Sequence, residues 1–398
     1  MEEFKLVSRA PDGGALPEFL DKSELAQVRR FHESFPQYAP TPLVALPDTA
    51  KALGVGKIWV KDESKRFGLN AFKVLGGSWA MGTLLAEKLG IPLDRISWKV
   101  LTAPENRDKL GSITFVTATD GNHGRGVAWS ACQFGQKSVV FMPRGSAPER
   151  LANIRAAGAE ASIIDGNYDD AVRLANKMTQ DRDWLLVQDT AWPGYEEIPT
   201  RIMQGYCTLG LEILEDLKEA PTHIFLQAGV GSLAGAMAGL FAASLNPKPI
   251  ITVVEPNKAD CLFRTAASDD GRLHVVTGDM DTIMAGLACG EPCSVAWEVL
   301  KATADHFVSC PDSAAAYGMR ILGNPAGEDT KIVSGESGAA AFGCAARILT
   351  DPELTWMKEK LQIDDRSRLL FISTEGDTDR ENYRAIVWDG KYCISSTL

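Results

Sequence analysis

The sequence carries little positive charge. Of its 398 residues, 41 are Lys or Arg and 52 are Asp or Glu, which gives a formal net charge of -11. A protein that binds nucleic acid needs a basic face that neutralises phosphates, and binding to an anionic membrane surface makes the same demand. The composition therefore predicts that neither a nucleic acid nor a membrane is a partner of this protein.

Long apolar runs and metal-binding patterns are also lacking. No apolar stretch approaches the roughly 18 residues that span a bilayer, and the first five residues carry acids rather than an apolar signal segment. Only five histidines are present and none form an HExxH pair, so we expect no catalytic metal. The eight cysteines are scattered, as in a reduced cytoplasmic enzyme. A disulfide between Cys261 and Cys289 and a bound monovalent cation stay open.

The sequence does contain a regular alternation of short apolar strands with helices. A chain of 398 residues corresponds to two or three domains of ordinary size. One alternation runs from Ile113 to Gln188, and a second begins at His223. Strands that alternate with helices form parallel βαβ units. The sequence therefore predicts an α/β protein with two parallel sheets, to which residues 1–40 are peripheral.

One stretch places a lysine at the start of a helix. The run from Asp62 to Lys73 follows a short predicted strand and leads into a helix rich in alanine, leucine and glycine. The positive backbone dipoles of a helix N-terminus and partial burial both disfavour an ammonium ion. A lysine reacts as a nucleophile only in its neutral form, so Lys73 is placed where a Schiff-base lysine would be useful. Taken alone, the stretch is also typical of an ordinary surface lysine.

A glycine-rich loop follows the predicted strand from His223 to Gln227. We define the glycine loop as Ala228, Gly229, Val230, Gly231 and Ser232. Glycines let backbone N–H groups approach a phosphate, and the helix that follows adds its positive end. A dinucleotide loop would need the spacing GxGxxG, and the third glycine, Gly235, comes one residue too late. The loop therefore predicts a site for one phosphate monoester, with a plain tight turn as the alternative.

A second loop also lies at the N-terminus of a predicted helix. We define the asparagine loop by its five residues, Thr119, Asp120, Gly121, Asn122 and His123. A loop at this position can hold an anion. The same residue types also suit an ordinary N-cap followed by a turn.

The order of lysine, asparagine loop and glycine loop resembles the fold-type II enzymes that use pyridoxal 5′-phosphate (PLP), such as threonine dehydratase and tryptophan synthase β. Among them, the chain is most similar to the diaminopropionate ammonia-lyases. The resemblance extends from Thr41 to Trp388 and rests on four runs. These are KDESKRFGLNAFK from Lys61, TDGNHGRGVAW from Thr119, QDTAW-GY from Gln188 and STEGDTD from Ser373.

The resemblance implies a tryptophan synthase β-like architecture and a set of PLP contacts. The large PLP-binding domain would comprise residues 1–75 and 195–398, and the small inserted domain residues 76–194. Lys73 would carry PLP, the glycine loop would bind its phosphate, and Asn122 would touch its 3′-oxygen. The ring nitrogen would meet Ser373 or, alternatively, Thr374. A neutral hydroxyl there leaves the nitrogen unprotonated, which favours elimination over transamination.

The resemblance also implies a reaction, the elimination of ammonia from D- and L-2,3-diaminopropionate to give pyruvate and two ammonia molecules. Thr119, Gly121 and His123 would bind the substrate carboxylate. Dehydratases carry a small uncharged residue where this chain has Asp120. We hypothesise that Lys73 and Asp120 lie on opposite sides of the cofactor and that each removes the Cα proton of one enantiomer. Asp120 is also a candidate for holding or protonating the C3 amine.

Asp189 is a second acid in one of the shared runs. We expect it to bind the C3 ammonium group of the substrate or to support Asp120. The residue is equally suited to a turn at the end of a strand.

Two other functions stay open on the sequence. One is a serine or threonine dehydratase of the same fold with a hydroxyl leaving group. The more distant one is a nucleotide-binding dehydrogenase or regulatory module. The family resemblance also suggests a homodimer.

Overall fold

A computed structural model describes residues 3–119, 121–268 and 270–393. The chain divides into two compact units. Unit 1 comprises Met1–Leu16, Thr41–Lys65 and Glu212–Leu398, and unit 2 comprises Pro17–Pro40 and Arg66–Leu211. These limits differ from the predicted domains, 1–75 with 195–398 and 76–194. Because compactness does not define which residues bind the cofactor, the predicted domain division stays a prediction.

Eleven strands lie within the described ranges. They are β1 (Lys5–Ser8), β2 (Leu43–Ala45), β3 (Lys57–Asp62), β4 (Thr114–Ala118), β5 (Lys137–Met142), β6 (Glu160–Ile163), β7 (Leu185–Leu186), β8 (His223–Gln227), β9 (Ile250–Pro256), β10 (His306–Cys310) and β11 (Arg368–Ser373).

The same ranges contain sixteen α-helices. They are α1 (Lys22–Glu33), α2 (Pro47–Ala52), α3 (Val74–Leu89), α4 (Trp98–Leu101), α5 (Pro104–Leu110), α6 (Asn122–Gln133), α7 (Pro148–Ala156), α8 (Tyr168–Arg182), α9 (Glu197–Asp216), α10 (Ser232–Ser244), α11 (Cys261–Ser268), α12 (Ser294–Thr303), α13 (Asp312–Gly323), α14 (Glu336–Thr350), α15 (Thr355–Lys360) and α16 (Arg380–Val387). No helix of the described residues is long and apolar enough to cross a bilayer.

Unit 1 contains a seven-stranded sheet in the order β1-β10-β9-β8-β11-β3-β2. The five inner strands are parallel, which confirms the predicted α/β class. Both edge strands pair antiparallel with their neighbours, which the sequence did not predict. All five residues of β8 and of β10 are buried. Burial on both faces is what a strand inside a parallel sheet requires, and the residues between the polar ends of β8 are apolar.

Unit 2 contains a four-stranded sheet in the order β6-β5-β4-β7, and all of its strand pairs are parallel. Its core lies on the two faces of the sheet. Val116 and Ala118 pack with Ala171 of α8, whereas Val140 and Met142 pack with Ile154 of α7. The alternation predicted between Ile113 and Gln188 is confirmed.

The predicted site loops all follow the carboxyl ends of parallel strands. In unit 1, the glycine loop follows β8 and Ser373 ends β11. In unit 2, the asparagine loop follows β4. Ligands of open α/β sheets bind at the carboxyl ends of the strands, so each unit presents its candidate residues at the functional edge of its own sheet.

Candidate active site

Lys73 is the residue immediately before α3, and its backbone is already helical, with φ -58° and ψ -22°. The chain reaches it through a tight turn, in which Phe67 and Asn70 adopt φ values of 47° and 59°. The Lys73 side chain is 18% exposed, and its Nζ lies 2.5 Å from Oδ2 of Asp189. The lysine is therefore a partly buried amine with an acid as partner, rather than an ordinary surface lysine.

Asp189 is held ionised in a buried position. Burial alone would raise the pKa of this carboxyl, but the charge of Lys73, the charge that His123 carries at acid pH and the hydrogen bond from Lys73 lower the pKa to about 2. The negative charge beside Lys73 stabilises the ammonium form of the amine. The local sequence around Lys73 does not predict this stabilisation, because Asp189 lies 116 residues away along the chain.

Gln188 positions Asp189. A strand was predicted from Trp184 to Gln188, but in the structure β7 comprises only Leu185–Leu186. At Gln188 the side chain, rather than the backbone, forms the hydrogen bond with β4. Its Oε1 accepts hydrogen bonds of 3.0 Å from the Thr117 hydroxyl and from the Ala118 N–H. These bonds hold the residue before Asp189 against the end of β4.

His123 lies on the other side of Asp189. Its Nε2 is 2.7 Å from the Val187 carbonyl oxygen, and its Nδ1 is 3.8 Å from Asp189 Oδ2. A carbonyl only accepts, so Nε2 carries the hydrogen. Burial lowers the pKa of His123; the charge of Lys73 adds to this effect, and the charge of Asp189 opposes it. The imidazole is therefore neutral near pH 7, and Nδ1 has no hydrogen-bond partner among the described residues.

We call Lys73, Asp189 and His123 the lysine cluster; all three belong to unit 2. It brings together a primary amine, an ionised carboxylate and a neutral hydrogen-bond acceptor. Groups of this kind can exchange protons with a bound substrate.

The asparagine loop lies at the start of α6, as predicted. Thr119 is buried, and its hydroxyl accepts a hydrogen bond of 2.9 Å from the Gly121 N–H. Asn122 is the first residue of α6. Asp120, the acid on which the two-base hypothesis depends, lies outside the described residues. Gly121 was expected to contribute to binding the substrate carboxylate. In this structure its N–H group donates instead to the Thr119 hydroxyl of the same loop.

A close backbone contact fixes the helix that follows Lys73. A Cβ atom on Gly126 of α6 would lie 2.9 Å from both the N and the Cα of Val74. Only a glycine permits this approach, because real Cβ contacts are essentially never that short. The start of α3 is therefore held directly against α6.

The glycine loop of unit 1 has the geometry of an anion site. Gly231 has a φ of 102°, which favours glycine, and α10 begins at the next residue. The Val230 carbonyl accepts a hydrogen bond of 2.8 Å from the Cys293 N–H, which anchors the loop. Within the described part of the chain, the N–H groups of Gly229, Val230 and Gly231 donate to no protein acceptor. Such N–H groups at a helix start suit a phosphate.

The end of β11 carries the two candidate contacts for a ring nitrogen. Ser373 and Thr374 are both buried. The Ser373 hydroxyl donates to the Ser334 hydroxyl over 2.8 Å, and the Thr374 Oγ1 accepts from the Gln227 side-chain amide over 3.1 Å. Sequence reasoning missed Ser334 and Gln227. Ser334 has no local signal, whereas Gln227 directly precedes the glycine loop and could have been found there.

A cysteine and a glutamate lie behind the glycine loop. Cys261 Sγ lies 3.8 Å from the Gly229 carbonyl oxygen and 3.7 Å from Glu255 Oε1. Burial raises the pKa of Glu255 to about 8, although hydrogen bonds from the N–H groups of Leu262 and Phe263 oppose this effect. All eight cysteines, including Cys289, are free thiols in this structure.

Each unit by itself has groups whose chemistry suits a part of PLP. In unit 2, the lysine cluster contains a primary amine, which suits the carbonyl carbon. In unit 1, the glycine loop has N–H groups and a helix start, which suit the phosphate, and Ser373 and Thr374 have neutral hydroxyls, which suit the ring nitrogen. No residue named above is chemically unsuited to the group expected beside it.

Comparison with known proteins defines the class. The model of the family described as pyridoxal-phosphate dependent enzyme matches residues 35–356. The chain belongs to this family, and PLP is its cofactor. The match gives no support to the dehydrogenase alternative.

Individual relatives narrow the class further. The chain is 51% identical over 384 residues to the diaminopropionate ammonia-lyase of Salmonella typhimurium, and the alignment covers 95% of each chain. The structure matches holo diaminopropionate ammonia lyase from Escherichia coli with a TM-score of 0.93 and 47% identity over 98% of both chains. It also matches the Escherichia coli lyase in complex with an aminoacrylate-PLP azomethine reaction intermediate, with a TM-score of 0.90 and 46% identity over 99% of both chains. The resemblance drawn from the sequence motifs is confirmed.

Proposed function

We propose that this protein is an ammonia-lyase that uses PLP to eliminate ammonia from 2,3-diaminopropionate in both its D and L forms. The aminoacrylate that is released is hydrolysed by one molecule of water, so the final products are pyruvate and two molecules of ammonia. The observation that carries this proposal is the lysine cluster, in which an acid with a pKa of about 2 lies 2.5 Å from the amine. A substrate with a second amino group needs such an ionised acid, whereas a hydroxy amino acid does not.

Bound PLP withdraws electrons from the substrate Cα, which makes the Cα proton acidic and lets the C3 substituent leave. Lys73 would hold the cofactor through its amine, and the N–H groups of the glycine loop would bind the phosphate. Asn122 would contact the 3′-oxygen, and either Ser373 or Thr374 would meet the ring nitrogen as a neutral hydroxyl.

The substrate amine would take the place of Lys73 on the cofactor. The freed Lys73 amine would then remove the Cα proton of one enantiomer, and Asp120 would remove that of the other. Thr119, Gly121 and His123 hold the substrate carboxylate, which requires the Gly121 N–H to exchange its bond with Thr119 for one with the substrate. Asp189 stays ionised throughout and binds the C3 ammonium group. The C3 nitrogen keeps its proton until it departs, because ammonia leaves far more readily than an amide anion.

The test is the rate of pyruvate release from D- and L-2,3-diaminopropionate, with L-serine and L-threonine in parallel and PLP present. We expect fast turnover of diaminopropionate and slow turnover of the hydroxy amino acids. The reverse ranking would make the protein a serine or threonine dehydratase of the same fold.

A variant pair tests the role of Lys73. Lys73→Ala should lose the visible absorbance of the bound cofactor and nearly all activity. Lys88→Ala is the matched control, because Lys88 lies on the same helix α3 and is exposed. Full activity and unchanged absorbance in Lys73→Ala would overturn the proposal.

We further propose a homodimer in the cytoplasm, on the strength of the family resemblance. Size-exclusion chromatography with light scattering should give twice the chain mass of 43.0 kDa. The mass of a single chain would contradict the dimer, and recovery outside the cytosolic fraction of the source cells would contradict the location.

A further inference from the structure

The hydroxyl of Tyr195 holds the backbone of the residue before Asp189. The Gln188 N–H donates to this hydroxyl over 2.9 Å, and the hydroxyl donates to the Leu186 carbonyl oxygen over 3.0 Å. Both directions are fixed, because a backbone N–H only donates and a carbonyl oxygen only accepts. One hydroxyl of unit 2 therefore satisfies two backbone groups at the point where β7 ends and the loop that carries Asp189 begins.

The ring of Tyr195 is itself held by the loop. It stacks on the Trp192 ring with a centroid distance of 4.5 Å and an angle of 18° between the ring planes, and the two residues form a β-bridge. Burial raises the pKa of the Tyr195 hydroxyl, and the charge of Asp189 adds to this effect. The hydroxyl therefore stays protonated and keeps its bond to the Leu186 carbonyl.

The side chain of Gln188 orients the carboxylate of Asp189. Its Oε1 accepts from the Ala118 N–H, so the NH₂ group must be the end that faces the acid. This group lies 3.4 Å from Asp189 Oδ1, whereas Asp189 Oδ2 lies 2.5 Å from Lys73 Nζ. The carboxylate is thus held with one oxygen toward Gln188 and the other toward the amine.

Resting on the proposed function, we infer that Tyr195 is a positioning residue for Asp189 and thereby a determinant of the preference for an amine over a hydroxyl as the leaving group. Without the Tyr195 hydroxyl, the backbone at Gln188 loses a hydrogen bond, and the Asp189 carboxylate is less firmly placed. An ionised acid attracts the C3 ammonium group of diaminopropionate strongly only at short range, whereas the C3 hydroxyl of serine carries no charge. Loss of the hydroxyl therefore affects the first substrate more than the second.

The test compares two substrates in the full-length protein with PLP bound. Tyr195→Phe keeps the ring that stacks on Trp192 and removes the hydroxyl. We expect kcat/KM for L-2,3-diaminopropionate to fall about tenfold, a typical effect of one lost hydrogen bond, and kcat/KM for L-serine to fall less than about threefold. Equal losses on both substrates would overturn the inference.

Tyr383→Phe is the matched control. The Tyr383 hydroxyl has no hydrogen-bond partner within the part of the chain that the structure describes. Its removal should leave both values of kcat/KM unchanged. A shift of the substrate ratio in this variant as large as that in Tyr195→Phe would also overturn the inference, since any lost tyrosine hydroxyl would then have the same effect.

A double-mutant cycle shows whether Tyr195 acts through Asp189 or has a purely structural role. In the Asp189→Asn background, Tyr195→Phe should lower kcat/KM for diaminopropionate by less than about twofold, because the charge that Tyr195 positions is already gone. The same fold-loss in both backgrounds would mean that Tyr195 does not act through Asp189.

The behaviour of the wild type keeps the outcomes distinct. If the wild type turns over L-serine faster than diaminopropionate, the proposed function itself fails. If it prefers diaminopropionate and Tyr195→Phe keeps the same substrate ratio, only the present inference fails. Circular dichroism checks that each variant is folded. If Tyr195→Phe is not, Trp192→Leu replaces it, because the half-buried Trp192 supports the same ring, and an unchanged substrate ratio there would equally overturn the inference.

Discussion

Lys73 and Asp189 are 116 positions apart in the chain, yet their charged atoms lie 2.5 Å apart. The carboxylate sits beside the amine at the N-terminus of α3, so its charge offsets the positive end of the helix dipole. His123 adds a neutral acceptor 3.8 Å from the same carboxylate oxygen. At the scale of single residues, the charge state of each group in the lysine cluster therefore depends on the other two side chains and on their burial.

The role of Asp189 can be tested by Asp189→Asn, which keeps the shape and removes the charge. If Asp189 binds the C3 ammonium group, kcat/KM for diaminopropionate should fall about 10- to 100-fold, as expected for the loss of a hydrogen bond to a charged group. The slower turnover of L-serine, which has no C3 ammonium, should fall less. Asp183→Asn is the control, because Asp183 is exposed and close in sequence. Equal losses on both substrates would remove the specificity role.

The two-base hypothesis rests on Asp120. Asp120→Asn should reduce turnover of D-diaminopropionate more than that of L-diaminopropionate, because Lys73 still removes the proton of the other enantiomer. Steady-state pyruvate release from each enantiomer measures this, and the L form serves as the internal control. Equal losses on both enantiomers would leave Asp120 as a contact to the C3 amine only.

At the scale of elements, α3 is held by its neighbours on several sides. Phe31 of α1 packs against Trp79 of α3 at a ring distance of 5.3 Å. His32 contacts the Leu75 carbonyl oxygen at 3.0 Å and the Thr208 hydroxyl of α9 at 2.7 Å. The expectation that residues 1–40 are peripheral was therefore wrong. Helix α1 therefore supports α3, the helix that follows Lys73.

The contact between α3 and α6 supplies a matched pair of glycine substitutions. Gly126→Ala places a Cβ 2.9 Å from the backbone of Val74, so the helices must separate. We expect a loss of about 1–3 kcal/mol in the free energy of unfolding and weaker activity, because Lys73 directly precedes Val74. Urea unfolding of both variants measures the difference.

Gly77→Ala lies at the same interface, but the nearest atom to its Cβ would be a methyl carbon of Val127 at 3.6 Å, an ordinary contact. This control should be neutral, or more stable by up to about 1 kcal/mol, since alanine favours helix more than glycine does. Similar losses in the two variants would show that the backbone approach at Gly126 is not what holds α3.

At the scale of the whole molecule, one buried acid contributes to the dependence of stability on pH. Burial raises the pKa of Glu255 from 4.5 to about 8, despite hydrogen bonds from two backbone N–H groups. Between these values, the unfolded chain loses the Glu255 proton and the folded protein keeps it. The contribution of Glu255 to stability is thus fully present below pH 4.5 and is lost as the pH rises through about 8.

Glu255→Gln is neutral at every pH and should lack this contribution. We therefore expect the Tm of the wild type to fall more steeply than that of the variant as the pH rises from 4.5 to about 8. Differential scanning calorimetry measures both curves. Glu298→Gln, at a mostly exposed side chain, should follow the wild type. Parallel curves for the wild type and Glu255→Gln would contradict the raised pKa.

Much of the fold and part of the candidate site follow from the sequence because they depend on local patterns. Strand β8 matches its predicted limits, and α10 begins at the predicted Ser232, since apolar runs and glycine turns are local features. Strand β10 was not predicted, although it has the same length as β8 and also begins with a histidine. The pairing of β1 with β10 was not predicted either, because nothing in the sequence of a four-residue strand indicates its partner.

By itself, the sequence determined the alternation of strands and helices, the loops at their ends and the order of motifs that indicates a PLP enzyme. Only the tertiary structure decided that Asp189 stands beside Lys73, that α1 supports α3, and that Gln227 reaches Thr374 across 147 positions of the chain. Local signals arise from dihedral preferences and from the periodicity of burial, and each residue carries its own share of them. The charge state and hydrogen bonding of a group depend on which distant atoms surround it, and those are set only when the chain has folded.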